Sequence, residues 1–234
     1  MANAVGRYTA LESHAGRIDD LQFVPVSVSY DHLQEVAEYA GEARGAAKTA
    51  ESLGWLVRFV RAQRGRFGTV YVRFGEAVSA RTILGGPEDA RSASPEVRKL
   101  ALQKLAFEVS CRINDSIPIT GSALLTLTLL GARGRSLTLP QIHAAIPGYL
   151  AFARQRRLPM TATAALDSDA AVVGALDGLI AQGVARSHAA GKKAVYGIAP
   201  EQHLAAAYYR NTIVHYFLSS AVAELALLGA AEHA

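Results

Sequence analysis

A single cysteine, Cys111, is all that the 234 residues contain. One thiol can close no internal disulfide and supply no multi-cysteine metal site; it fits a reducing compartment, as a small buried apolar side chain. The opening stretch, "MANAVGRYTALESHAGRIDD", has no apolar core of the kind a secretory signal needs, so no signal peptide is expected. No apolar run reaches the roughly 20 residues that a bilayer crossing demands. The most apolar, Ile213–Leu228, is interrupted by His215 and Glu224, and no transmembrane helix is expected. Internal repeats and long polar tracts are missing as well, which excludes solenoids and disordered linkers.

What is present is an ordinary globular balance, 50% apolar and 19% charged, with alanine carrying much of the apolar share and favouring helix. The length suits one or two domains. A net charge of +4 and a pI near 9.3 are mildly basic. They suit anionic small molecules or a phospholipid surface as well as nucleic acid.

The pattern divides near residue 90. Before it, a short helix over 7–16 leads into "LQFVPVSVSY", a β-branched strand in which Pro25 requires a free edge or a nearby ligand. Helices over 31–41 and up to Arg64 separate it from "TVYVRF", a second strand. A crossover of this length predicts parallel neighbours in an α/β sheet, and two strands alone leave that sheet unfinished. After residue 90 the chain reads as mainly helical. Ser94 caps a helix with Pro95 in its first turn, and "TGSALLTLTLLGARG" gives a second. Thr138 and Gln141 stand at capping-box spacing before a third, and 169–182 gives a fourth. A hairpin with a Gly-Lys-Lys tip follows, and Pro200 opens a long final helix.

Several groups of residues suggest chemistry. His14 and Asp19 have the His-x4-Asp spacing of an acyltransferase base and its orienting carboxylate. Positions i and i+5 lie about 140° apart on a helix, Gly16 breaks the chain between them, and no oxyanion donors lie near. The pair is read as a decoy. Arg58, Arg61, Arg64 and Arg66, with Arg44 and Lys48 upstream, form a basic series that could meet phosphates or simply face solvent. The hairpin after a helix has a winged-helix look, with Arg186, Lys192 and Lys193 on the wing. The preceding helix, "DAAVVGALDGLIAQG", offers Asp169 and Asp177 instead of a basic reading face, so nucleic acid is not expected as a partner. In "AYYRNTIVHYF", Tyr208, Asn211 and His215 share one helix face and are expected to dock the last helix through a buried polar network.

Taken in order, these stretches resemble the C-terminal part of bacterial glycerol-3-phosphate acyltransferases. "FVPVSVSYDHLQEVAEYAGEARGAAK" resembles the fourth conserved acyltransferase block and the Glu-x-Arg-Gly-x-x-Lys segment after it, here Glu42, Arg44, Gly45 and Lys48. "GTVYVRFGEAVS" is similar to the family's Tyr-Val-x-Phe-Gly-Glu strand and turn, and "AYYRNTIVHYF" to its Tyr-Tyr-Arg-Asn-x-Ile-x-His segment. The resemblance implies residues 1–90 as the C-terminal part of an acyltransferase α/β domain and 91–234 as a helical C-terminal domain with a winged-helix-like hairpin. It implies acyl transfer from acyl-CoA or acyl-carrier protein to the sn-1 hydroxyl of glycerol 3-phosphate, in phospholipid synthesis, with no cofactor. The place would be peripheral, at an anionic membrane surface on the cytoplasmic face. The family's catalytic His-x4-Asp and its phosphate-binding block lie upstream of the fourth block and have no counterpart here. A missing N-terminal half is therefore an expected partner, and the chain alone is expected to be inactive. The resemblance places Pro25 in the substrate or acyl-chain site, and it makes Arg44 and Lys48 candidates for binding substrate phosphate or for domain packing. The reading from a different class is a non-catalytic helical module whose winged-helix-like end binds a partner or nucleic acid.

Overall fold

The computed structural model describes residues 20–31, 68–85, 92–190 and 193–232. The expected helices over 7–16, 31–41 and up to Arg64 lie outside the described residues, as does the hairpin tip at Lys192. The described chain is mainly helical with three small sheets. By contacts it divides into two compact units, Met1–Val28 with Tyr71–Ile117, and Ser29–Val70 with Pro118–Ala234. The boundary expected near residue 90 adjoins residues 86–91, which are outside the described residues.

Four strands come first: β1 (Gln22–Phe23), β2 (Val26–Tyr30), β3 (Val70–Phe74) and β4 (Val78–Ser79). β1 pairs with β4 antiparallel, Phe23 opposite Val78. β2 pairs with β3, and its ladder ends on Asp31 N–H to the Thr69 carbonyl (3.1 Å) and Gly75 N–H to the Pro25 carbonyl (2.8 Å). Numbers rise on one strand as they fall on the other, so this pair is antiparallel too. The parallel arrangement expected from the crossover is therefore corrected: a period-of-two pattern carries no strand direction. Between the two ladders one strand advances a residue further than the other, which is a β-bulge. Pro25 sits at that bulge, buried, at the break between β1 and β2 where no ladder N–H is required of it.

In the first unit, α1 (Ala80–Leu84) and α2 (Pro95–Ser116) complete the described structure. Asp20 ties the start of β1 to the start of α1. Its Oδ1 accepts from the N–H groups of Leu21 (2.8 Å) and Arg81 (2.9 Å), and its Oδ2 accepts from the Ser79 hydroxyl (2.7 Å). Ser79 in turn caps α1 by accepting from Thr82 N–H at 3.1 Å. α2 begins as the sequence predicts, with Ser94 Oγ accepting from Val97 N–H and Pro95 in the first turn. It buries one stripe, Leu105 and Val109, with Leu102 and Ile113 partly covered, against Val78 and Phe23. Spacings of three and four residues keep that stripe on one face. Cys111 is half-buried rather than enclosed.

The second unit is organised around α3 (Gly121–Gly131). Thr120 caps it, accepting from Ala123 N–H at 3.2 Å. Ala123, Leu124, Leu125 and Leu129 are all buried, as are Thr126 and Thr128. The two threonine hydroxyls donate to the carbonyls of Ser122 and Leu124, each at 2.9 Å, so their burial leaves no orphan group. Around α3 lie β5 (Leu137–Thr138), α4 (Leu139–Gln155), α5 (Asp169–Ala181), a hairpin of β6 (Arg186–Ala190) and β7 (Lys193–Gly197), and α6 (His203–Glu232). Gln141 Oε1 accepts from Thr138 N–H at 2.9 Å, the capping box expected at the start of α4. The sheet runs β5-β7-β6, antiparallel throughout. Ala205, Ala206, Tyr209 and Ile213 dock the first half of α6 onto the core.

The second half of α6 is different. Leu218, Val222, Leu225, Leu227 and Leu228 are between 57% and 72% exposed. With its 30 residues, this helix is long and apolar enough to cross a membrane. The expectation that no such segment exists is corrected: the apolar run was counted from Ile213, whereas the helix starts at His203.

Two outcomes are expected. Gly121 approaches the 162–165 turn so closely that an added Cβ would lie 2.5 Å from the Thr163 carbonyl oxygen. Gly121→Ala should therefore lower unfolding free energy by about 1–3 kcal/mol in a urea titration. For Asp20, burial raises the carboxyl pKa, but the Ser79 hydroxyl, the Arg81 and Leu21 N–H groups and the Arg81 charge outweigh it, and the net shift is downward. A depressed carboxyl stabilises the fold above its unfolded value and loses that contribution as pH falls through the folded value. Asp20→Asn should cost about 1–2 kcal/mol at pH 7, and its difference from the parent should shrink as the pH falls through the lowered carboxyl pKa.

Candidate functional site

A run of hydroxyls and one buried carboxylate forms the polar centre of the second unit. Asp31 closes β2 and is 6% exposed. Its carbonyl accepts from Ser122 Oγ at 2.8 Å, and its Oδ1 accepts from Thr163 Oγ1 at 3.2 Å. Thr163 Oγ1 lies 2.7 Å from Thr161 Oγ1, which donates to the Ile119 carbonyl at 3.2 Å. The arrangement depends on Gly121, whose missing side chain lets the 162–165 turn pass over the start of α3. It depends also on Leu166, held at a left-handed φ of 44° that turns the chain toward α5. These groups line a cleft of about 370 Å³ that also touches Asp167 and Gly174. Hydroxyl donors and two carboxylates can hold a neutral polar group. With no cation on its walls, the cleft is ill suited to a phosphate dianion.

The first unit has a shallower cleft of about 550 Å³ between β3 and α2. Arg112 spans it, with Nε 2.9 Å from Glu108 and Nη1 3.3 Å from Glu76 and 3.1 Å from the Ala77 carbonyl. The Glu108 hydrogen bond leads the effects that hold the Arg112 pKa above its ordinary value. Arg73 is the other cation on its walls, against Glu76, Glu108 and Asp115. Carboxylates outnumber guanidiniums, so this cleft too is not prepared for phosphate. Among the described residues no group of three or more His, Cys, Asp or Glu side chains could hold a metal ion.

The residues singled out in the sequence fall as follows. His14, Asp19, Arg44 and Lys48 lie outside the described residues, as do Arg58, Arg61, Arg64 and Arg66. Pro25 is buried at the bulge, close beside Gly75 at the rim of the Arg112 cleft. Tyr208 and Asn211 lie on the exposed side of α6, and His215 is half-buried with its ring 4.0 Å from that of Tyr216. Asn211 Oδ1 accepts two bonds from the neighbouring Arg210 guanidinium, at 3.1 and 2.8 Å. The polar link that docks α6 is instead Tyr209, 1% exposed, whose hydroxyl donates to Gln182 Oε1 at 2.7 Å. The apolar face set by Ala205 and Ile213 points Tyr209 inward, beside the expected docking positions Tyr208, Asn211 and His215. His143 Nε2 stands 2.8 Å from Asp169 Oδ1 without hydrogen-bond alignment, and Asp169 is largely exposed.

The chain matches the family model described as "Glycerol-3-phosphate acyltransferase C-terminal region" over residues 39–234. Proteins named as the acyltransferase plsB1 in Mycobacterium tuberculosis and Mycobacterium bovis are 38% identical over 213 residues, covering 91% of this chain and 34% of their own length. The glycerol-3-phosphate acyltransferase of Glaesserella parasuis is 30% identical over 219 residues, covering 88% of this chain and 26% of its own. The chain thus spans about a third or less of these relatives.

Removing the hydroxyl of the docking tyrosine should be measurable. Tyr209→Phe is expected to lose about 1 kcal/mol in a urea titration.

Proposed function

Because this chain belongs to the family of glycerol-3-phosphate acyltransferase C-terminal regions, we propose that it is the C-terminal portion of an enzyme moving a fatty acyl group from acyl-CoA or acyl-carrier protein to the sn-1 hydroxyl of glycerol 3-phosphate, in phospholipid synthesis. The match over residues 39–234 carries this reading. In the whole enzyme a general base would take the hydroxyl proton as the oxygen attacks the thioester carbonyl, and the thiol would leave from the tetrahedral intermediate. That route needs no cofactor. We assign the base, its oxyanion donors and the phosphate pocket to the preceding portion of the enzyme. Pro25, Arg44 and Lys48 remain the substrate-side positions of the proposal, and residues up to about 90 the tail of the acyltransferase α/β domain. We place the enzyme peripherally on the cytoplasmic face of an anionic membrane. The exposed apolar half of α6 and the +4 charge support that location.

One observation favours the second reading. The order α3, β5, α4, α5, β6, β7, with β7 between β5 and β6, is similar to a winged helix. The exposed side of α5 carries Asp169 and Asp177, so its use would be contact with protein rather than with nucleic-acid phosphate.

The test is acyl transfer from a long-chain acyl-CoA to glycerol 3-phosphate by this chain, beside His14→Ala, with and without the preceding portion of a relative. No transfer by the chain alone and transfer once the preceding portion is added is the expected result. Transfer by the chain alone that His14→Ala abolishes would make His14 the base and overturn the assignment. Inactivity in every mixture, whichever preceding portion is supplied, would favour the second reading.

A further inference from the structure

The ribbon of β2 and β3 has its amphipathicity inside out. On β2, Ser27 and Ser29 are buried, and Ser27 Oγ donates to the Ser116 carbonyl at 2.9 Å. Their neighbours Val24, Val26 and Val28 are between 41% and 53% exposed. Across the ladder, Val72 is 52% and Phe74 72% exposed. The hydrogen bonds at the ladder's ends place Val26 opposite Phe74 and Val28 opposite Val72, so the five side chains share one face. A ribbon meant for water on one side carries its polar residues there and its branched residues inward. This one does the reverse.

We propose that this face is the seat of the acyltransferase portion that precedes the chain's family region, packed on it as polypeptide. The proposal rests on the function given above. The family match begins at residue 39, so β1 and β2 lie ahead of the C-terminal region and belong with what precedes it. The relatives supply the missing length, since this chain covers 34% of the Mycobacterium proteins. Among the described residues the ribbon is two strands wide, and α2 meets it on the Ser27 and Gly75 side, away from the exposed valines. Two strands with one helix layer make half of an α/β domain, and the open apolar face is where the other half belongs. A free surface of this kind is otherwise a liability for aggregation.

The probe is the portion of Mycobacterium tuberculosis plsB1 upstream of the matched part, made as a separate polypeptide and mixed with the full 234-residue chain. The variant is Val28→Lys with Phe74→Lys, both at exposed positions; Leu100→Lys with Phe107→Lys, on the exposed side of α2, is the control. The melting temperature of the chain alone should be the same for all three. The parent and the control should co-elute with the probe, and the ribbon variant should bind at least roughly tenfold more weakly. Equal binding by parent and ribbon variant, or none by either, overturns the proposal. Self-association of the parent that the ribbon variant dissolves, without probe binding, overturns it in favour of a second copy. Acyl transfer in the mixture separates the two claims. Transfer indifferent to the ribbon variant keeps the function and removes this seat, whereas binding through the ribbon without transfer keeps the seat and removes the function.

Discussion

The second unit is governed by the fact that α3 has no side to give to water. Leucine and alanine occupy every direction around it, and the two hydroxyls among them are turned back onto the helix's own carbonyls. Such a helix is stable only if other elements enclose it. α4, α5, the three-stranded sheet and the first half of α6 do so, and each contributes one stripe of its own to the same cluster. The approach of the 162–165 turn over Gly121 closes the last gap at the helix start, and the Asp31 hydroxyl chain seals it. The polar cleft described here is therefore a by-product of how the central helix is capped, which explains its neutral-to-acidic lining.

The first unit obeys the opposite constraint. Its core is small, centred on Val78, Leu105 and Val109. Apolar burial of that extent stabilises little against the entropy of ordering the chain. Polar ties compensate in part. Asp20 gathers two backbone N–H groups and a hydroxyl, and Arg112 joins α2 to the 76–77 turn through a carboxylate and a carbonyl. Bulge, ribbon and helix thus hold together through a few directed hydrogen bonds where the other unit relies on enclosure.

Local chemistry was legible in the sequence and long-range pairing was not. Ser94, Thr138 with Gln141, and the glycine-tipped hairpin announce their elements because caps and turns are decided within a few residues. Strand direction is not decided locally: "VPVSVSY" and "TVYVRF" read identically whether their partner runs parallel or antiparallel. Pro25 was rightly awkward, yet the bulge that accommodates it is visible only in the partner strand's extra residue. On α6, polar residue type pointed to Tyr208 and Asn211, while the four-residue spacing of Ala205, Tyr209 and Ile213 held the better signal. The Asp20–Ser79 bond has no sequence signature at all, since nothing in either residue's neighbourhood names the other.

The long final helix carries a geometric consequence. Its burial ends near Ile213, and from Leu218 to Ala231 it runs free of the described core. At 1.5 Å per residue that free stretch is about 21 Å long. A hydrocarbon layer is roughly 30 Å deep. The apolar stretch that meets a spanning criterion lies almost wholly outside the core, beyond the residues that dock the helix on α3. Because Ala205, Ala206, Tyr209 and Ile213 fix the first half of α6 to the core, the second half leaves it as an apolar rod whose direction is set at Ile213.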